Sequence, residues 1–421
     1  EHSLGKGEVT SSSLVKGFPN LIPAGKPFHG ASRWEAADPY APARGSNPLW
    51  PVPRRLRITA WPCNDPGVCP RGHAPRTATC PSHQHPMPAT TASAALPITS
   101  DAMRRPVDRG ETRSLAWRLE QLDRLEQALN ANEDAAIAAL AADLEKPAVE
   151  AFFELVAIRQ ELALTRRQLR RWMAPRPVPV PLHLKPGRAC TVATPLGCVL
   201  IIGPWNYPLQ LCLHPLVSAL AAGNTAVLKP SEHAPATAAL IARLIADAFP
   251  PQIVQVVQGD GSVAAQLLEQ RFDHIVFTGG ERVGRLVMAA AARHLTPVTL
   301  ELGGKSPAIV LADADLAVTA RRLVWGKSLN SGQTCIAPDH LLVEASIREP
   351  LLQAIRAEIS AFFADDPVGS GDRGRIVHQG RFDHLVGLLE GARARGQVLF
   401  GGELDRGRLR IGLTLLEVSE D

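Results

Sequence analysis

A cysteine and a glutamate stand in two polar, glycine-containing segments of the second half of the chain. Cys335 ends the run Asn-Ser-Gly-Gln-Thr-Cys after a predicted helix. A cysteine in a polar loop differs from the usual buried cysteine, so its thiolate is a candidate nucleophile. Glu301 stands at the end of a predicted strand, before the paired Gly303 and Gly304, where a close approach of the backbone is expected. The sequence shows no recognisable Ser-His-Asp arrangement, and nothing in it points to a histidine partner for the cysteine.

An asparagine lies between two prolines in the first of three predicted strand-to-helix turns. Asn206 follows Pro204 and Trp205, and Pro208 comes two residues later. Because proline restricts the backbone, the side-chain amide of Asn206 could donate to a developing oxyanion. The alternative is a proline-stiffened turn in which the asparagine only binds its own backbone.

The other two turns carry residues that suit a dinucleotide. Lys229 and Glu232 follow a strand, and such side chains suit ribose hydroxyls, which both donate and accept hydrogen bonds. Gly279, Gly280 and Gly284 open a helix, where glycine lets the backbone approach a phosphate. Taken alone, the first pair is better explained as an exposed helix cap, and the glycines do not match the pattern G-x-G-x-x-G.

The elements that must position these residues form an alternating series. Buried strands are predicted at 199–202, 226–228, 253–257, 275–278 and 298–300, and intervening helices at 209–222, 235–249, 262–269 and 282–294. Such an alternation predicts βαβ units in a doubly wound parallel sheet, whose ligands bind beyond the carboxyl ends of the strands. Further helices are predicted at 115–129, 150–172, 315–329, 347–363 and 381–394.

The predicted fold class is therefore α/β. We expect a doubly wound, Rossmann-like domain with N-terminal helices at 106–305, whose turns could hold a cofactor, and a second α/β domain at 306–421. Residues 1–105 are predicted to be an irregular or disordered extension, because residues 1–100 hold 16 of the 36 prolines and sustain no apolar period.

Composition excludes several classes of function. The chain has 421 residues and a net charge of +4, but residues 1–100 carry 10 basic and 5 acidic residues, and the other 321 carry 35 and 36. The body of the protein thus has no broad positive field for nucleic acid. No apolar run is long enough to span a bilayer, and no signal peptide is recognisable.

The cysteines and histidines give little sign of a metal or disulfide site. The N-terminal stretch contains Cys63, Cys69, His73, Cys80, His83 and His85, but their spacing does not match structural zinc sites. We therefore expect no metal. Cys190, Cys198 and Cys212 lie in apolar runs and are predicted to be core residues.

Residues 111–417 resemble the aldehyde dehydrogenase superfamily, and most closely its class 3 branch, which oxidises fatty and aromatic aldehydes. The motifs that carry the resemblance are Gly203-Pro-Trp-Asn-Tyr-Pro208, Ala222-Gly-Asn224, Lys229-Pro-Ser-Glu232, Phe277-Thr-Gly279, Leu300-Glu-Leu-Gly-Gly-Lys-Ser-Pro307 and Asn330-Ser-Gly-Gln-Thr-Cys335. They occur in the family's order and at about its spacing, and together they are far more specific than any one of them.

The resemblance implies a catalytic role for three residues. Cys335 corresponds to the nucleophile that attacks the aldehyde carbon to give a thiohemiacetal. Asn206 corresponds to the amide that holds the oxyanion together with the backbone N–H of Cys335. Glu301 corresponds to the general base that activates the thiol or the water that hydrolyses the thioester.

The resemblance also implies the cofactor, NAD with NADP possible. Lys229 and Glu232 correspond to contacts with the adenine ribose, and the carboxylate favours NAD because it repels a 2′-phosphate. The other residues assigned to the cofactor are Pro204, Trp205, Gly279, Gly280, Gly284 and Leu302. Gly280 stands where many relatives have serine, so the helix it precedes lacks a hydroxyl cap.

The family pattern continues past the position of Glu417 with a Glu-Glu-Ile-Phe-Gly-Pro segment. The resemblance therefore implies that this chain carries an incomplete catalytic domain, and two alternatives to an aldehyde dehydrogenase remain open. The first is a catalytically inactive remnant that binds NAD. The second is an enzyme that passes the acyl group to coenzyme A, although Glu301 favours water. We further expect a small-molecule aldehyde as substrate, a homodimer for the full-length protein, and a cytoplasmic location.

Overall fold

The structure is a computed structural model that describes residues 55–59, 99–364, 366 and 368–418, with the backbone alone for 55–59. All described residues belong to one compact unit, Val52–Asp421. The six N-terminal cysteines and histidines considered for zinc lie outside the described residues. Within the described part, no group of three or more His, Cys, Asp or Glu side chains could hold a metal ion.

The strands and helices follow one another through the unit as an α/β chain. The strands are β1 (Arg55–Thr59), β2 (Arg176–Val178), β3 (Ala189–Thr191), β4 (Cys198–Ile202), β5 (Thr225–Lys229), β6 (Val254–Val256), β7 (His274–Gly279), β8 (Val298–Leu302), β9 (Pro307–Val310), β10 (His340–Val343), β11 (Val398–Phe400), β12 (Leu404–Asp405), β13 (Arg410–Ile411) and β14 (Thr414–Glu417). The α-helices are α1 (Ser100–Asp108), α2 (Leu115–Ala131), α3 (Glu133–Leu144), α4 (Ala148–Met173), α5 (Gln210–Ala221), α6 (Pro235–Ala248), α7 (Gly261–Leu268), α8 (Glu281–Ala292), α9 (Leu316–Ser328), α10 (Arg348–Phe363) and α11 (Gln379–Ala394). No helix among the described residues is both long and apolar enough to span a membrane.

Five parallel strands form the sheet that the sequence predicted. Their order is β6-β5-β4-β7-β8, and every neighbouring pair is parallel. The chain runs outward from β4 through β5 to β6 and then returns to the other side of β4 as β7 and β8. The point where the direction reverses lies between β4 and β7, which is where doubly wound sheets bind ligands.

Both faces of the central strand β4 are covered, which explains why it reads as a continuous apolar run. Val199 and Ile201 of β4 face a core shared with helices α2 to α6. Cys198, Leu200 and Ile202 face the opposite core, to which α1, α7 and α8 contribute. The two-residue period of the strand thus divides β4 between two apolar cores, and all five of its residues are buried.

A second sheet packs against helices α9 and α10. Its order is β11-β14-β1-β10-β9, with β9 and β10 parallel and the other neighbouring pairs antiparallel. Its core contains apolar residues of β9, β10 and β14 and of the two helices, among them Val324, Leu341, Ile355 and Leu415. The domain boundary predicted at 305/306 falls between β8 of the first sheet and β9 of the second.

Three details differ from the sequence predictions. Strand β1 and the start of α1 lie inside the stretch 1–105 that was predicted to be irregular. The strand has the alternating sequence Arg-Leu-Arg-Ile-Thr, a period-2 signal too short to stand out among the surrounding prolines. Cys190 is exposed on β3 and not in a core, because every residue of the β2–β3 hairpin is exposed.

Candidate active site

The Asn206 turn (residues 203–208) begins where β4 ends, beside the reversal of the sheet. The backbone N–H of Gly203 donates to the carbonyl oxygen of Lys229 at 3.0 Å, which ties this turn to the end of β5. A Cβ atom on Gly203 would lie 2.1 Å from the Sγ atom of Cys212 on α5. Only glycine therefore lets helix α5 pack this closely beneath the turn.

The side chain of Asn206 points to the Cys335 loop (residues 330–335). Its Nδ2 atom donates to the carbonyl oxygen of Gln333 at 3.0 Å. In the opposite direction, the Nδ2 atom of Asn330 donates to the carbonyl oxygen of Asn206 at 2.7 Å. The next residue of the turn, Tyr207, shares a hydrogen bond of 2.7 Å with the hydroxyl of Thr334. The structure thus brings together two segments that the sequence could only nominate separately.

The Cys335 loop has an unusual backbone. Asn330, Ser331 and Gly332 have φ angles of 51°, 53° and 77°, all in the left-handed region. Two consecutive residues other than glycine in this region cost roughly 1–2 kcal/mol each, so the surroundings must hold them there.

Buried hydrogen bonds supply that support. The Glu150 carboxylate accepts the backbone N–H of Asn330 at 2.7 Å, and the Ser331 hydroxyl donates to the carbonyl oxygen of Gly374 at 2.8 Å. The Gln333 side-chain amide donates to the carbonyl oxygens of Asn330 and Arg375 at 3.1 and 2.9 Å, and its oxygen accepts the N–H of residue 377 at 3.0 Å. Asn330, Ser331 and Gln333 are each at least 96% buried, because their relative exposures are 1%, 4% and 1%.

Cys335 itself is half-buried and carries a free thiol. The thiols of Cys198 and Cys212 are chemically different from it. Burial raises the pKa of Cys198 to about 12, and the same cause raises that of Cys212 to about 12. Both are fully buried core residues, so among Cys198, Cys212 and Cys335 only the last combines a polar loop with access to solvent.

The segment that contains Glu301 runs beside the Cys335 loop. Glu301 is exposed in β8, opposite Thr278 of β7. A Cβ atom on Gly304 would lie 3.4 Å from the carbonyl oxygen of Cys335, so the two backbones are close neighbours at this point. Downstream, the N–H of Asp339 donates to the carbonyl oxygen of Ser306 at 2.9 Å. Gly304 therefore lies beside the backbone of Cys335, at a distance that would be an ordinary contact for a Cβ atom.

Lys229 and Glu232 form an ion pair beyond the end of β5. The Nζ atom of Lys229 lies 2.7 Å from the Oε2 atom of Glu232, and the lysine side chain is buried whereas the carboxylate is about one third exposed. Burial, the largest single effect, opposes the ionisation of Glu232. The hydrogen bond and charge of Lys229, a backbone hydrogen bond and the charge of His233 together outweigh burial, so the pKa of Glu232 lies below its usual range. The pair therefore presents a negative group to solvent at the edge of the sheet where β5 ends.

Gly280 is the N-cap residue of α8, and no side chain caps this helix. A Cβ atom on Gly279 would lie 2.5 Å from the ring of Phe277, and one on Gly284 would lie 2.9 Å from Leu302. These three glycines and Leu302 therefore pack one helix N-terminus tightly against the ends of β7 and β8. An uncapped helix N-terminus with small residues can accept a phosphate.

Sequence reasoning missed three charged residues that support the site. Lys146 and Glu154 form an ion pair with 2.5 Å between Nζ and Oε1, and both side chains are fully buried. Burial raises the pKa of the Glu150 carboxyl, against the effect of its bond to Asn330. Glu150 and Glu154 are one helical turn apart on α4, a spacing that is also typical of an exposed helix face. The sequence pattern therefore gave no sign that these residues are buried and not on an exposed helix face.

The chain is similar in sequence and in fold to proteins of one family. A model of the aldehyde dehydrogenase family matches residues 75–418. Aldehyde dehydrogenase family 3 member H1 of Arabidopsis thaliana is 43% identical over 316 residues, which are 75% of this chain and 65% of that protein. The dimeric NADP-preferring aldehyde dehydrogenase of Rattus norvegicus is 42% identical over 308 residues, 73% of this chain and 67% of the relative. The matched part thus spans about two thirds of the length of these relatives.

Solved structures of similar fold include AldH of Staphylococcus aureus in a substrate-bound state. It is 36% identical, its TM-score is 0.72, and the match covers 75% of this chain and 68% of that one. Glyceraldehyde-3-phosphate dehydrogenase GapN of Methanocaldococcus jannaschii, solved in complex with NADP, is 25% identical with a TM-score of 0.67. That match covers 75% of this chain and 69% of GapN.

Proposed function

This chain belongs to the aldehyde dehydrogenase family, within its class 3-like part, and from that premise we propose that it oxidises an aldehyde to a carboxylic acid with NAD or NADP. One observation carries the proposal: the side-chain amide of Asn206 is held against the loop that bears the free, half-buried thiol of Cys335. An acyl-transfer reaction at cysteine needs this combination of a nucleophile and a nearby donor for the oxyanion.

The first half of the reaction is carried out by Cys335 and Asn206. The thiolate attacks the aldehyde carbon, and the electron pair of the C=O bond moves to oxygen. The amide of Asn206 and the backbone N–H of Cys335 donate to this oxyanion. Nδ2 carries two N–H donors, and because only one is needed for the carbonyl oxygen of Gln333, the other is available for the oxyanion. The oxyanion then re-forms the C=O bond as the hydride leaves, which gives a thioester on Cys335.

The residues at the carboxyl ends of β5 and β7 fit a dinucleotide, which supplies the acceptor for the hydride. The uncapped N-terminus of α8 at Gly280 suits the pyrophosphate. The Lys229–Glu232 pair suits the adenine ribose, with the carboxylate accepting from a hydroxyl. Pro204, Trp205 and Leu302 complete the proposed cofactor contacts, because they adjoin the ends of β4 and β8.

The second half of the reaction is hydrolysis of the thioester. Glu301 takes a proton from water, whose oxygen attacks the acyl carbon, and the carboxylic acid leaves as the Cys335 thiolate is regenerated. The adjacency of the Gly304 backbone and Cys335 supports this role, because it places the segment of Glu301 beside the nucleophile.

The test is formation of the reduced cofactor by this chain with NAD and hexanal. We expect aldehyde-dependent reduction, no reduction by Cys335→Ala, and a kcat lowered about 10²- to 10⁴-fold in Glu301→Gln, the range for loss of a general base. Both variants should retain the NAD affinity of the unaltered chain, measured by fluorescence titration. Saturable NAD binding without any turnover would instead identify a non-catalytic binding protein, and formation of acyl-coenzyme A would change the acceptor.

Cofactor preference gives a separate prediction for Glu232. Replacement of its carboxylate in Glu232→Gln removes the repulsion of a 2′-phosphate and frees Lys229 to contact it. We expect the ratio of kcat/KM for NADP to that for NAD to rise about tenfold, which corresponds to about 1.4 kcal/mol. Glu269→Gln, which removes the surface partner of Arg293, is the matched control and should leave the ratio unchanged. An unchanged ratio in Glu232→Gln would exclude the carboxylate as the selector.

The names of the relatives support the remaining parts of the proposal. The rat relative is called dimeric, which favours a homodimer for the full-length protein. Class 3 relatives and the fatty and aromatic substrates of that branch favour an apolar aldehyde. We propose a cytoplasmic location, although one relative from Arabidopsis thaliana is named chloroplastic. Expression of a fluorescent fusion of the full-length protein would test this compartment.

A further inference from the structure

We propose that Lys146 and Glu154 are a positioning pair that aims the amide of Asn206 at the reacting oxygen. The inference rests on the function proposed above, because it concerns the same site. It starts from a pair of opposite charges that is fully buried, with 2.5 Å between Nζ and Oε1. A buried ion pair is by itself weak evidence for stability, since an apolar pair of similar volume often replaces it without loss. The contacts of this pair therefore decide what it does.

Glu154 fixes the end of the Asn206 turn. Its second oxygen accepts the backbone N–H groups of Leu209 and Gln210 at 3.1 and 2.9 Å. These groups belong to the start of α5, which has no side-chain cap of its own. The carboxylate thus caps α5 from another helix, α4, and the turn that precedes α5 is anchored at its carboxyl end.

Lys146 fixes the middle of the same turn. Its Nζ atom donates to the carbonyl oxygen of Asn206 at 3.1 Å and lies 4.2 Å above the ring centroid of Tyr207. The Asn206 carbonyl also accepts from Asn330, so one oxygen receives a donor from the pair and a donor from the Cys335 loop. The backbone plane of Asn206 is therefore held on both sides, and its side chain has a defined starting direction.

The pair acts through Asn206 and not on the thiol. Each hydrogen bond of Lys146 and Glu154 among the described residues goes to the other member, to the Asn206 turn or to the start of α5. The charge of Lys146 also acts on the Glu150 carboxylate, but the hydrogen bonds that hold the Cys335 loop come from Glu150, Gly374 and Arg375 and not from the pair. Removal of the pair should therefore misplace the oxyanion donor while the nucleophile stays in place.

Two reactions of the cysteine separate these effects without any cofactor. Acylation by p-nitrophenyl acetate passes through an oxyanion and needs the Asn206 donor. Alkylation by iodoacetamide displaces iodide at a saturated carbon and develops no oxyanion. The ratio of the acylation rate to the alkylation rate at Cys335 therefore reports whether the Asn206 amide is correctly oriented. A general loss of folding would lower both rates.

The variant is Lys146→Met with Glu154→Gln, in which no charge is left buried alone and the glutamine oxygen still accepts the N–H groups of α5. We expect acylation to fall by about tenfold to a hundredfold, as for a misplacement of about 1 Å, with alkylation changed less than about threefold. Arg104→Met with Asp273→Asn is the matched control. This ion pair lies at the opposite ends of the strands from the candidate site. It also links a helix to a backbone N–H, because Arg104 of α1 binds Asp273, which accepts the N–H of Cys198 at the start of β4. It should change neither rate.

A mutant cycle with Asn206→Ala tests whether the Lys146–Glu154 pair acts on acylation through Asn206. Asn206→Ala should lower acylation to a similar degree, and adding it to the Lys146 and Glu154 changes should have little further effect. The inference would be overturned if acylation and alkylation fell equally, or if acylation did not fall. It would also be overturned if the losses of the separate variants multiplied in the combined variant. Absence of any acylation in the unaltered chain would instead remove the proposed nucleophile, and the inference with it.

Discussion

Gly203 shows how a single missing side chain determines the position of a reacting group. The residue lies between the end of β4 and Asn206, and its Cα faces the thiol of Cys212 on α5. The helix reaches this depth only because no Cβ stands in the way. The height of the Asn206 turn above the sheet therefore depends on a contact between a glycine and a buried sulfur atom.

A prediction follows for Gly203→Ala. The new methyl group would lie 2.1 Å from Sγ of Cys212, so the helix or the turn must move, and we expect a loss of about 1–3 kcal/mol in the free energy of unfolding. In Cys212→Ala the sulfur is gone, and the nearest atom of residue 212 would be its Cβ at 3.5 Å, an ordinary contact. Adding Gly203→Ala to Cys212→Ala should therefore cost clearly less, as urea denaturation of the four proteins would measure. Equal costs in both backgrounds would contradict the steric explanation.

The residues of the site differ in how far sequence alone could identify them. Cys335 and Asn206 have side chains whose chemistry is rare in their context, and the motifs around them carry the family resemblance. Lys146 and Glu154 have no such signal, since a lysine and a glutamate near a helix start normally face solvent. Their burial depends on where α4 meets α5, which is a property of the tertiary structure and not of the local pattern.

Helix α11 begins at a histidine that acts as its N-cap. The Nδ1 atom of His378 accepts the backbone N–H of Arg381 at 3.1 Å, which requires that this nitrogen carry no proton. The ring of His233 lies 4.7 Å from that of His378, between centroids, and His233 follows Glu232 of the proposed cofactor site. Burial, His233 and Arg381 lower the pKa of His378 below its ordinary value.

A pH dependence of stability follows from this cap. Because the pKa of His378 is lowered in the folded protein, the unfolded chain binds the proton more readily. The contribution of the cap is therefore complete above about pH 6.5, the ordinary histidine pKa, and is lost as the pH falls through that value to the lower folded one. In His378→Asn the asparagine oxygen caps the helix at every pH, so the stability lost on acidification should be smaller.

The measurement is the free energy of unfolding in urea between pH 8 and pH 5. His183→Asn, at an exposed position of the segment between β2 and β3, is the control for removal of a histidine. The prediction is contradicted if His378→Asn and the unaltered chain lose the same stability over this interval.

The elements were largely predictable because their signals are local. All five strands of the parallel sheet and the helices between them were confirmed, since short β-branched apolar runs and amphipathic helices have different apolar patterns. The order of the strands in the second sheet was not predictable. It depends on β1, which pairs with β10 and β14, some 280 or more residues later in the chain.

At the scale of the whole molecule, the carboxyl end of α3 joins segments that are far apart in sequence. Arg375 donates to the carbonyl oxygens of Ala142 and Asp143 at 2.9–3.1 Å. The Asp143 carboxylate in turn accepts the N–H groups at the start of α6. The end of α3 is thus held by Arg375, whose carbonyl oxygen also accepts from Gln333, and it caps the neighbouring helix α6. The ends of α3 and α6 and the segment before α11 therefore share one polar joint.

We expect Arg375→Met to weaken this joint. Loss of a charged donor to three backbone contacts should cost about 1.5–3 kcal/mol, and it should also loosen the bond between Gln333 and residue 375. The midpoint of urea denaturation should fall, and the rate of Cys335 acylation should fall with it. Arg395→Met, which removes an exposed arginine bound to Gln397, is the control. If the free energy of unfolding fell by the expected amount and the rate of acylation did not change, the link between this joint and the site would be contradicted.

The left-handed backbone at Asn330 and Ser331 also bears on the order in which the molecule assembles. Its support from Glu150 comes from a residue 180 positions away in the chain, and the contact with Asn206 spans 124. Such contacts form only when the chain closes a long loop, which costs conformational entropy. When the unfolded chain refolds, the thiol of Cys335 is therefore exposed to oxidants and electrophiles until these contacts form. It acquires its oxyanion donor only when the segment of Asn206 and the segment of Cys335 have met.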